Sequence, residues 1–134
     1  MGDSISAAYG IQREQGWVAL LEQRLREYSM AIDVINASLS GETTAGGRVR
    51  MSRILEAHTP DVVILELGGN DGLRGYPVES IQENMDVMAK LARDHGAEVI
   101  ILGMAIPANY GPRYTNAFRA VFIETASTTD SQLV

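Results

Sequence analysis

Three short apolar runs punctuate the chain: Ala31–Asn36 (AIDVIN), Asp61–Leu67 (DVVILEL) and Ala97–Gly103 (AEVIILG). Each is nearly continuous in Val, Ile and Leu rather than strictly alternating, which suits strands of a parallel sheet covered on both faces. Between and around them the apolar positions step by three or four. Trp17, Leu21, Leu25 and Tyr28 form one stripe, and Met51, Ile54, Leu55 and His58 a second. Val78, Ile81, Met85, Met88 and Ala92 form the clearest one, and Tyr114, Phe118, Val121, Phe122 and Thr125 a fourth. Such stripes bury one face of a helix, and the Met and aromatic residues in them read as core. Strands alternating with helices predict a doubly wound α/β domain with right-handed crossovers. In such a fold ligands gather at the carboxyl ends of the strands. Chemistry is therefore expected in the segments that follow the runs: ASLSGETTAGG, GGNDGLRG and MAIPANYG.

Composition narrows the classes. The chain has 134 residues, 46% of them hydrophobic and 21% charged, enough for one domain with a real core. The formal net charge is −6, and Lys90 is the only lysine, so no basic stripe exists to follow a nucleic acid. Cysteine is absent, which removes disulfides, thiolate metal sites and cysteine nucleophiles together. No run approaches the ~18 apolar residues of a membrane-spanning helix, and stable membrane insertion is not expected. The loops lack a G-x-G-x-x-G or G-x-x-x-x-G-K-[ST] pattern, which disfavours a flavodoxin-like nucleotide site on the same architecture.

The loops do contain parts for acyl transfer. Ser4 stands in GDSIS, a turn that would present a hydroxyl. Attack on a carbonyl develops negative charge on oxygen, and fixed N–H donors stabilise that charge by several kcal/mol. Gly41 in SGET offers a backbone N–H, Asn70 in GGND a side-chain amide, and Ser4 its own N–H. Each alone is as well read as a turn residue. The three lie at three strand ends, which converge in this fold class.

GDSIS, NASLSGET, LELGGNDGLRG and PANYGPRY, in that order over nearly the whole chain, resemble the GDSL or SGNH hydrolases, in particular their bacterial thioesterase I, lysophospholipase and arylesterase branch. The resemblance implies a three-layer α/β/α SGNH-hydrolase (flavodoxin-like) parallel sheet, with residues 1–134 a single domain truncated at both ends. It implies a serine hydrolase of carboxylic esters or acyl thioesters that uses no metal or organic cofactor. Ser4 matches the nucleophile; Gly41 and Asn70 match the oxyanion donors. The family's histidine lies in a D-x-x-H segment that this chain lacks, and a first buried strand is expected before Met1. The branch is often exported, which makes a periplasmic or secreted location compatible with the resemblance. The alternative is a catalytically impaired fragment or an acyl-binding module without its base.

Neither histidine is placed to substitute. His58 and His95 each end a helix leading into a strand, at the amino-terminal edge of the sheet, where a partial positive charge suits the helix dipole. Loop position and resemblance together give the substrate-binding candidates Asp3, Leu73, Arg74, Ile106, Pro107, Asn109 and Tyr110. Leu73 to Tyr76 are expected to form a mobile lip hinged at glycine, and Ile106 to Tyr110 to line an acyl-chain groove. Asp3 and Asp71, each after a glycine, also read as carboxylates accepting nearby backbone N–H groups. Glu66, a carboxylate in an apolar strand, must be hydrogen-bonded if buried. Ala8 stands where many relatives carry glycine, and little is expected of it. The sequon Asn36-Ala37-Ser38 is read as coincidence.

Overall fold

The computed structural model describes residues 1–134. Three parallel strands, β1 (Val62–Leu65), β2 (Glu98–Ile101) and β3 (Gln132–Leu133), form one sheet in the order β1-β2-β3. Five helices surround it: α1 (Trp17–Glu27), α2 (Thr44–His58), α3 (Gly69–Leu73), α4 (Val78–Asp94) and α5 (Pro112–Thr128). Residues Arg13–Gln15 and Ala108–Tyr110 are single 3-10 turns.

The core lies on one face of the sheet. Val63 pairs with Val99 and Leu65 with Ile101, so these four side chains share a face. Against them pack Met51 and Leu55 from α2, Ile81, Met85 and Met88 from α4, and Phe118, Val121 and Phe122 from α5. Phe118 meets Phe122 edge to face, with ring centroids 5.2 Å apart. Three of the four predicted stripes are thus the buried faces of α2, α4 and α5. The opposite face of the sheet is less covered: Ile64 and Ile100 are half-buried and Val62 is exposed. The expectation of strands sealed on both faces holds for only one of them. The stripe of α1 forms a helix as predicted, yet no residue of α1 is fully buried. Trp17, Leu21 and Leu25 are half-buried and Tyr28 is exposed.

The predicted strand Ala31–Asn36 is not a strand. Parallel strands bond through backbones about 4.8 Å apart, and no strand lies within that reach of this segment. On the side of β1 away from β2, the edge is occupied by Met1 and Gly2. The Met1 amine donates to the Ile64 carbonyl at 2.7 Å, the Glu66 N–H donates to the Met1 carbonyl at 2.9 Å, and Gly2 bridges to Glu66. Nearer the start of β1 that edge faces a slot of about 460 Å³ whose far wall is the Ala31–Ala37 segment. Residues Ala31 to Asn36 therefore run on the far side of the slot without a ladder.

No helix is long and apolar enough to cross a membrane.

Candidate active site

The carboxyl ends of β1 and of the Met1–Gly2 extension bring the sequence candidates to one edge. Gly2 is fully enclosed, and a Cβ there would stand 2.5 Å from both the Glu66 Oε2 and the Ser6 Oγ, so only glycine admits this close approach. Asp3 to Tyr9 then close a helical turn, with Ala7 N–H donating to Asp3 O and Tyr9 N–H to Ser4 O. Ala8 ends it at φ +57°, a left-handed conformation that costs a residue with a Cβ roughly 1 kcal/mol or more. A glycine at that position would carry no such cost. Ser4 sits half-buried on the turn. Neither its N–H nor its Oγ is engaged within the chain.

Asn70 joins this turn to the next loop. Its amide donates to Asp3 Oδ2 at 3.2 Å and to the Glu42 carbonyl at 3.0 Å. One side chain thus touches the residue before Ser4 and the residue after Gly41. Gly41 adopts φ +79°, which glycine tolerates, and its N–H has no acceptor within the chain. Arg50 braces the same loop by donating to Glu42 Oε2 at 2.6 Å and to the Ala37 carbonyl at 3.0 Å. Leu39 N–H donates to the Gly2 carbonyl at 3.1 Å, which closes the circuit between the two loops. The structure therefore assembles Ser4, Gly41 and Asn70, with two free backbone N–H groups and one amide whose hydrogens are both in use.

The acidic residues behave as anchors. Asp3 is buried; Oδ1 accepts the Ile5 N–H at 3.0 Å and Oδ2 the Asn70 amide. Among the substrate-binding candidates Asp3 alone is fully buried. Asp71 is also buried and accepts the Thr44 N–H at 2.9 Å and the Thr44 hydroxyl at 2.7 Å, tying α3 to the start of α2. Asn84 adds an amide bond to the same hydroxyl at 3.2 Å. Glu66 is buried at the end of β1, hydrogen-bonded to Ser6 and Asp3 as its position demanded. Burial pushes its carboxyl pKa up and the Asp3 charge adds to this, while the Ser6 hydroxyl and the Asp3 and Ser6 N–H groups oppose it.

The outer candidates form a rim. Leu73, Arg74, Pro107 and Asn109 are exposed, while Ile106 is half-buried against the core. The Leu73–Tyr76 lip is anchored at both ends: Tyr110 donates its hydroxyl to the Leu73 carbonyl, and Tyr114 donates to the Tyr76 carbonyl, both at 2.6 Å. Burial first, then Asp71 and Tyr110, raise the Tyr114 pKa, which keeps this donor protonated. His58 and His95 end α2 and α4 as expected, His58 beside the slot at the start of β1 and His95 with Nδ1 2.8 Å from the Leu91 carbonyl. Both are remote in topology from the Ser4 edge.

Sequence reasoning missed Asn36. Its amide donates to the Ser6 carbonyl at 2.7 Å, fastening the Ala31–Ala37 segment to the Ser4 turn. The available signal was its position as the first residue of NASLSGET, the segment that carries Gly41. Thr44 and Asn84 were missed because their bonds join residues distant in sequence, 27 positions from Asp71 to Thr44 and 40 from Thr44 to Asn84.

The GDSL-like lipase/acylhydrolase family model matches residues 1–134. The chain is 48% identical over its full length to Esterase TesA of Pseudomonas aeruginosa and spans 67% of that protein. It is 36% identical over its full length to the thioesterase 1/protease 1/lysophospholipase L1 of Escherichia coli K12, spanning 63% of it. Among solved structures, the psychrotrophic esterase EstA from a Pseudoalteromonas species, inhibited by monoethylphosphonate, superposes with a TM-score of 0.95 at 42% identity. That match covers all of this chain and 73% of EstA.

Proposed function

The chain belongs to the GDSL-like lipase/acylhydrolase family, a hydrolase of small esters or thioesters by that membership, and we propose that Ser4 is its nucleophile. The supporting observation is the Asn70 amide, which bonds to Asp3 and to the Glu42 carbonyl, the residues adjoining Ser4 and Gly41, whose own N–H groups have no partner within the chain. Ser4 Oγ attacks the acyl carbonyl; the alcohol or thiol departs; water then releases the acyl group from Ser4. The developing oxyanion takes hydrogen bonds from the N–H groups of Ser4 and Gly41. The Asn70 amide joins them by giving up its longer bond, the 3.2 Å contact to Asp3. The Ser4 and Gly41 N–H groups need no such exchange, since neither has a partner to give up.

The groove runs over the rim. Ile5, Leu39 and Leu73, one, two and three residues from Ser4, Gly41 and Asn70 in sequence, are exposed, an apolar set that suits an acyl chain. Ile106, Pro107, Asn109 and Tyr110 supply its far side, with Arg74 at the lip. The Ser4 hydroxyl has no histidine partner among these residues.

A fluorophosphonate probe followed by intact mass avoids any need for turnover. One adduct should form on Ser4 and vanish in Ser4→Ala. Asn70→Ala should slow it by on the order of a hundredfold. An adduct that survives Ser4→Ala would sink the assignment. Probes of graded alkyl length test the groove separately. Tyr110→Ala should flatten the dependence of labelling rate on chain length, and an unaltered dependence would remove Tyr110 from the groove.

A further inference from the structure

Glu66 stands immediately after β1 and is 4% exposed. Its backbone N–H donates to the Met1 carbonyl at 2.9 Å. Its Oε2 accepts the Ser6 hydroxyl at 2.5 Å and the Asp3 N–H at 3.3 Å. Ser6 Oγ in turn accepts the Trp17 indole N–H at 3.1 Å, which ties α1 into the same network. Oε1 is buried without a partner. One side chain therefore grips the residue on the N-terminal side of Ser4 and the residue two positions beyond it. An apolar residue would pack at this sheet end without the desolvation cost of a carboxyl. What it would not do is hold two turn groups at fixed hydrogen-bond distance.

We propose that Glu66 is a positioning residue, whose buried carboxyl group fixes the Asp3–Ser6 turn and with it the direction of the Ser4 hydroxyl. The proposal rests on Ser4 being the nucleophile. The charged groups facing Glu66 are the Asp3 carboxylate on the turn and the Met1 amine on the neighbouring extension, the latter also felt by Arg50 from α2. Ser6 and Trp17, from the turn and from α1, are neutral. The grip needs an acceptor at Oε2 and does not need a negative charge. A glutamine carbonyl can take both bonds, with its amide at the place of the orphaned Oε1.

The test uses the whole chain with Glu66→Ala, Glu66→Gln and Ser6→Ala. Two readouts are taken well below the melting temperature of each variant: amide hydrogen exchange, and the maximal rate and half-saturating concentration of fluorophosphonate labelling at Ser4. In Glu66→Ala, exchange should quicken at Ala7 and Tyr9 and not in α4. The maximal rate should fall by about ten- to a hundredfold while half-saturation stays within about twofold, as misplacement of a reacting group predicts. Glu66→Gln should recover most of both. Exchange that quickens evenly over the molecule, or a labelling rate untouched in Glu66→Ala, overturns the proposal and leaves Glu66 an ordinary structural group. If Glu66→Ala does not fold, Ser6→Ala must show the same local loosening with Glu66→Gln near the parent, and failure of either overturns it. An adduct that persists in Ser4→Ala refutes the nucleophile assignment instead, whereas a Ser4-specific adduct with unchanged turn exchange refutes the role of Glu66 alone.

Discussion

Two loops that are 67 and 28 residues away from Asn70 in sequence meet at its side-chain amide. Without this bond pair, the Ser4 turn and the Gly41 loop would be held to each other only by the Leu39–Gly2 backbone bond and the Asn36 amide. Bringing distant loops together costs chain entropy that no local propensity returns. The amide offsets part of that cost with two partly buried bonds, and it holds the residues adjoining Ser4 and Gly41 to one point. Scaffold and site are here the same interaction.

Around it the buried acids divide the work. Asp71 fastens α3 to the start of α2 through Thr44, and Asp3 fastens Asn70 to the turn. Both carboxylates have partners on each oxygen, which is how a buried charge is made tolerable. Glu66 is the exception, with one oxygen bonded and one bare. Burial raises its pKa and the Asp3 charge adds to the shift. The contribution of Glu66 to stability is therefore fullest in acid and fades as pH rises through its folded pKa.

Much of this was legible in the chain. The stripes of α2, α4 and α5 carried their 3.6-residue period because a continuous core selects it, and Val63, Leu65, Val99 and Ile101 read as strand because the sheet buries them. Ser4, Gly41 and Asn70 were expected at three strand ends; of those strands only β1, before Asn70, forms in full, and the other two loops reach Asn70 through its amide. Ala31–Asn36 misled because β propensity describes a surface awaiting a neighbour, and here a slot stands where the neighbour would be. Asp3 was read both as a substrate contact and as a carboxylate accepting nearby backbone N–H groups; it is buried and accepts the Ile5 N–H and the Asn70 amide, since sequence spacing says which loop a carboxylate is on and not which way it turns. Asn36 and Thr44 act through single long-range bonds, and such bonds leave no period to read.

The anchoring of the lip by Tyr110 and Tyr114 has a different kind of consequence. Both phenols bind main-chain carbonyls, at Leu73 and Tyr76. Every residue type brings that carbonyl, so the lip stays in place whatever side chains it carries. The exposed positions Leu73, Arg74 and Tyr76 are free to vary in size and charge without disturbing the loop that bears Asn70. Evolution, or a designer, can exchange the side chains of this rim one at a time, with the main chain beneath them left in place.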